Sequence, residues 1–102
     1  MTAKAKILDI AMNLNRIGNW AADGYSGKKK RIRTFLHSTS KYLESLRNYN
    51  IPPSLDKTIK AFSDEYRQLE SEGLKGPRDI VFWAEKMMTW GNILTHRSQL
   101  IR

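Results

Sequence analysis

Apolar positions recur along this chain at spacings of three and four, the period of a helix with one buried face. The first run is Ile7, Ile10, Ala11, Leu14, Ile17, Gly18 and Ala21. It predicts a helix from about Lys4 to Ala22, with Thr2 as N-cap and Asp23-Gly24 as the stop. Gly18 within that stripe either costs about 1 kcal/mol of helix propensity or admits a close neighbour. Residues 23–27 hold two glycines and read as a turn, with Ser26 placed to cap the next helix. The second run is Phe35, Leu36, Thr39, Leu43 and Leu46, with Ile32 one turn earlier and Tyr42 beside the stripe. That helix is predicted to reach about Tyr49.

Ile51-Pro52-Pro53-Ser54 is the clearest boundary. Prolines forbid continuation, and the residue before each is pushed to extended geometry. Ser54 is the expected N-cap of a third helix, with Leu55, Ile59, Phe62, Tyr66 and Leu69 on its inner face. Its outer face is mixed in charge, and Arg67 and Glu70 are spaced for an ion pair. Gly73 is the expected C′ residue. After the link at residues 74–77, Pro77 suits a helix start and Asp79 its first turn. The last helix carries Ile80, Trp83, Ala84, Met87, Trp90, Gly91, Leu94 and Ile101, widened by Val81, Phe82 and Met88. His96, Arg97 and Arg102 fall near its C-terminal end, where the dipole favours cations.

No stretch shows the strict alternation of a strand, and there is no internal repeat. The pattern predicts an all-α fold: one domain over residues 1–102, built as a four-helix antiparallel bundle in up-down-up-down order. Short links set that order by making sequential helices antiparallel neighbours.

Charge adds direction to this picture. The 102 residues carry 18 Lys and Arg against 10 Asp and Glu, a net charge of +8. Residues 1–49 hold a balance of +7 and residues 50–102 only +1. So asymmetric a field points to a polyanion as partner, with an anionic membrane surface as the alternative to nucleic acid. With no cysteine, disulfides, thiolate metal sites and a cysteine nucleophile are excluded. A cytoplasmic location fits that composition. No apolar run approaches the roughly 20 residues of a membrane span, and the N-terminal stretch leads into an amphipathic pattern, unlike a signal peptide.

The densest cations are Lys28, Lys29, Lys30, Arg31 and Arg33, at the start of the second predicted helix. Each cation there opposes the helix dipole by about 0.3–1 kcal/mol. A bound anion removes that conflict. The five spread around more than one helix face, which suits wrapping a phosphate backbone without reading bases. Lys41 and Arg47 extend the stripe, and Trp20 and Tyr25 flank it. Tyr25, in a glycine turn, is the better candidate for stacking on a base of RNA or single-stranded DNA, because a tryptophan in a small domain more often belongs to the core.

Catalytic signals are sparse. No phosphate loop, dinucleotide fingerprint, nucleophile elbow or metal-ligand spacing is present, so neither an enzyme nor a cofactor is expected. Arg31 and His37, separated by five residues, resemble the Arg-x(4–6)-His motif of HEPN-superfamily helical ribonucleases. That resemblance implies proton transfer by His37 and charge stabilisation by Arg31. On a regular helix, residues six apart point about 120 degrees away from each other, so convergence would require a break. On the last helix, Phe82, Trp83, Met87 and Trp90 form either the bundle's centre or an interface to larger protein subunits or copies of the chain.

With its basic helix face at Lys28 to Arg33 and its tryptophan-rich last helix from Ile80 to Leu100, the chain resembles the small helical subunits of CRISPR effector complexes. The resemblance implies a non-catalytic ribonucleoprotein subunit that lines up along the guide and supports the displaced or paired strand. Its four-helix layout and Trp90-Gly91 also resemble the helical accessory protein of diversity-generating retroelements, which assists a reverse transcriptase and binds nucleic acid. Neither likeness supplies a catalytic residue.

Overall fold

The Thr2 side chain accepts a hydrogen bond from the Ala5 amide at 3.1 Å, and the first helix starts from that cap. The computed structural model describes residues 2–101, so Arg102 lies outside it. Among the described residues, four α-helices form in the predicted order: α1 (Ala3–Gly24), α2 (Lys29–Ser45), α3 (Pro53–Lys75) and α4 (Ile80–Ser98). Short 3-10 turns at Ser26–Lys28 and Leu46–Asn48 flank α2, and no strand is present among these residues. The molecule measures 39 × 20 × 19 Å, its long dimension matching the roughly 33 Å of a 22-residue helix.

One core runs through all four helices. Ile7, Leu14 and Ile17 of α1 meet Ile32 and Leu36 of α2, Phe62 and Tyr66 of α3, and Trp83, Met87 and Leu94 of α4. The α1–α4 pair is the most extensively packed. It comes close because glycine stands at both ends of the contact. A Cβ at Gly18 would lie 2.9 Å from the Ala84 carbonyl oxygen, and one at Gly91 would lie 3.0 Å from that of Ala11.

Three buried aromatics place their polar tips on backbone carbonyls, as buried donors require. Tyr66 donates to Leu36 O at 2.7 Å, Trp83 Nε1 to Leu69 O at 2.9 Å, and Tyr25 to Gly73 O at 2.6 Å. Each bond ties one helix, or its end, to another.

Several boundaries differ from expectation. Ser26 caps nothing: the chain leaves α1 through Tyr25 in helical geometry and passes through a 3-10 turn to Lys28, the N-cap of α2, with no side-chain cap bond. Ser54 is inside α3, because Pro53 itself takes the first helical position behind Pro52. Gly73 is not the C′ residue. The helix continues to Lys75, and Gly76, with φ of 100°, makes the left-handed exit. Pro77 precedes α4 and Asp79 is its N-cap, accepting from the Phe82 amide at 3.0 Å. Glu70 forms no ion pair with Arg67: the three pairs among the described residues are Lys28–Asp23, Lys60–Asp56 and Lys86–Glu65.

Candidate nucleic-acid interface

The first turn of α2 holds cations and no acidic residue. Lys29, Lys30, Arg31 and Arg33 are exposed and Lys28 is half-buried. Gly27, Lys28, Lys30 and Arg31 line an open hollow of about 410 Å³. Two of the cations are already engaged. Lys28 is paired with Asp23, and the hydrogen bond and charge of that ammonium hold the Asp23 carboxyl below the ordinary carboxylate range. Arg33 donates to Leu74 O at 3.2 Å, placing its charge on the last carbonyls of α3, the favourable end of that helix dipole. Among the described residues, Lys29, Lys30 and Arg31 have no carboxylate within ion-pair distance.

Farther along the helix, Lys41 and Arg47 line a second hollow of about 470 Å³ with Glu44, Ser45 and Asn48. Lys30, Thr34, His37 and Lys41 are all outside the core and follow one another at intervals of four, three and four, so they form a single outward row. Eleven residues from Lys30 to Lys41 correspond to about 16 Å of helix. The predicted cations therefore divide into two groups, one at the start of α2 and one toward its far end, with Arg47 beyond the helix in the following 3-10 turn.

The aromatic expectation reverses. Tyr25 is only 8% exposed: its hydroxyl is spent on Gly73 and its ring meets Trp83 edge-on, with centroids 6.4 Å apart. Burial also pushes its phenol up. The chain carries helical geometry through Tyr25, which leaves the ring turned inward, so it presents nothing to a base. Trp20 is the aromatic at the surface here. It is half-buried, Phe35 packs against it edge-to-face at 4.9 Å, and the Arg31 guanidinium lies over its ring, 5.1 Å from the centroid. The sequence signal for it was its position one turn before the end of α1, facing the basic turn.

Arg31 and His37 are not brought together. No break interrupts α2 between them. Arg31 lies toward α1 over Trp20, whereas His37 lies on the α3 side, near enough to Glu70 to pull that carboxyl's pKa down. Burial is the stronger influence on Glu70 and leaves its pKa raised. Glu70 belongs to a cleft of about 450 Å³ between α2 and α3, which Arg47, Asp56 and Arg67 also line.

The proposed interface on α4 shrinks. Trp83 and Met87 are core residues, 2% and 0% exposed, because the contacts to α1 and α3 fall on their side of the helix. Phe82 is 56% and its neighbour Val81 60% exposed. Trp90 is half-buried against Phe62, with ring centroids 5.3 Å apart. Phe82, Trp90 and Ile93 line a hollow of about 350 Å³, edged by the Glu65–Lys86 ion pair at 3.2 Å.

Among the described residues, no helix is long and apolar enough to cross a membrane. Among the described residues, no three His, Asp or Glu side chains gather as a metal site. Comparison with protein-family models, with curated proteins and with solved structures finds no match to this chain.

Proposed function

We propose that this chain is a non-enzymatic, nucleic-acid-binding helical subunit of a ribonucleoprotein complex, of the kind found as small subunits in CRISPR effectors. It holds the phosphate backbone without sequence specificity. The observation that carries the reading is the series of exposed cations along and just past one helix: Lys29, Lys30 and Arg31 at the start of α2, Lys41 farther along it and Arg47 in the 3-10 turn that follows. Backbone contacts of this kind give strong, salt-dependent, sequence-blind binding.

The scaffold for this role is an up-down-up-down bundle. Supporting that order, Lys6 meets Tyr42 and Trp20 meets Phe35 between α1 and α2, while Phe62 meets Trp90 and Leu69 meets Trp83 between α3 and α4. In each pair the earlier residue of one helix meets the later residue of the other. Phe82 and Trp90 face a larger protein subunit in the assembled particle. A cytoplasmic location accords with the cysteine-free composition.

Reversing Lys29, Lys30 and Arg31 to glutamate tests the reading. Lys28 and Arg33 are left alone because they hold Asp23 and α3. Fluorescence anisotropy with a labelled oligonucleotide should show binding abolished in the triple variant while its far-UV circular dichroism and melting stay intact. Equal binding by variant and wild type would sink the proposal.

A further inference from the structure

Trp20 and Arg31 are arranged to do something that a backbone clamp does not need. Holding phosphate requires no aromatic ring beneath the guanidinium. Here it lies over an indole face, 5.1 Å from the ring centroid, and Phe35 fixes that indole edge-on from the core side. The packing limits the conformations of Arg31 and sets a flat, cationic group at the edge of the basic hollow it shares with Gly27, Lys28 and Lys30. Arg31 is exposed, so the approach to this edge is open. The hollow is open to solvent and lined by three cations and Gly27.

We infer that the Trp20–Arg31 pair is a base-stacking platform, and that the chain consequently prefers single-stranded nucleic acid to duplex. This rests on the nucleic-acid reading above and adds the ligand class. Guanidinium planes and aromatic rings both stack unpaired bases, and such stacking tolerates any base because each has a π-face. The neighbouring Lys29 and Lys30 supply phosphate contacts. Bases inside a duplex are already stacked on one another and cannot reach the platform.

The test separates bases from phosphates. A labelled single-stranded oligonucleotide is compared with an abasic strand of the same length, which keeps the phosphates and lacks the bases, and with the blunt duplex. The wild type should bind the base-bearing strand about tenfold more tightly than the abasic one, the order of one base–aromatic stack. In Arg31→Lys, which keeps the charge and loses the plane, that ratio should fall toward one while the salt dependence is unchanged. Trp20→Ala should do the same. Arg31 is exposed, so its conservative variant remains informative if Trp20→Ala disturbs the core. Equal affinity of the wild type for the base-bearing and abasic strands, or an unchanged ratio in Arg31→Lys, overturns the platform and leaves the backbone clamp standing. No binding to any of the three nucleic acids overturns the clamp and the platform together.

Discussion

The indole of Trp83 lies directly on the backbone of Gly73. A Cβ at Gly73 would stand 2.5 Å from Trp83 Cζ2 and 2.8 Å from Leu36 Cδ1. The ring cannot swing aside without breaking its hydrogen bond to Leu69 O. Two effects then compete in Gly73→Ala. Helix propensity favours alanine by about 1 kcal/mol. Overpacking a filled core opposes it by about 1–3 kcal/mol, and here two neighbours on two helices must yield. The clash should win. Thermal unfolding should show a melting temperature several degrees below wild type, at about 4–8 °C per kcal/mol for a domain of this size. A rise would mean the indole moves freely.

The bond from Tyr25 to Gly73 O gives a prediction that separates structure from binding. Tyr25→Phe keeps the ring, its edge-on contact with Trp83 and its burial, and removes only the hydroxyl. Loss of one buried hydrogen bond should lower stability by about 0.5–1.5 kcal/mol. Oligonucleotide affinity should not change, since the ring is closed to bases. Chemical denaturation and anisotropy on the same variant check both halves, and weaker binding by a fully folded Tyr25→Phe would restore tyrosine as a contact.

Glu70 provides the pH dependence. Burial raises its pKa above the ordinary value of 4.5, although His37 pulls the other way. Between its unfolded and folded values the native state therefore holds more protons than the unfolded chain, and stability from this group falls as pH rises through that window. Above the window the carboxylate is charged in both states and its half-buried position is unfavourable. Glu70→Gln should melt at or above the wild-type temperature at pH 7. The difference should shrink as pH drops below the ordinary carboxylate range, where both side chains are neutral. A variant less stable than wild type at pH 7 would show that the charge has a favourable partner.

The helices and their inward faces were legible because burial follows the helical period, and Ile7, Leu14, Phe62 and Leu94 are all buried. What failed depends on long-range contacts. Gly73 has the local signature of a helix end, and only the arrival of Trp83 from α4 explains why it belongs to a helix interior. Tyr25 follows a glycine in a polar link, which reads as exposure; its burial is decided by a carbonyl 48 residues away. Trp83 and Phe82 are adjacent large aromatics, so composition cannot separate them, and their opposite fates come from which side of α4 meets the bundle. The basic cluster was legible as charge. Its division into engaged and free cations was not, because Arg33 finds its carbonyl on α3.

Asp23 should act as an internal competitor for nucleic acid. Its carboxylate takes up the Lys28 ammonium at the rim of the basic hollow, a cation that the proposed function would otherwise offer to a phosphate. Because Lys28 holds the Asp23 pKa below the ordinary range, the carboxylate is fully charged at neutral pH and the competition operates there at full strength. Asp23→Asn frees Lys28 and removes a negative charge from the approach. Asp23 is exposed and Lys28 only half-buried, and a surface pair of this kind contributes little to the fold, so the variant should melt close to wild type. Its affinity for single-stranded nucleic acid should rise several-fold at low salt. The plot of log affinity against log salt should steepen by up to about 0.7, the contribution of one more phosphate on a single strand. Lys28→Ala, losing a cation already occupied, should weaken binding less than Lys30→Ala, which loses a free one. An Asp23→Asn variant with wild-type affinity and slope would show that Lys28 takes no part in the interface, confining the contact to Lys29, Lys30 and Arg31.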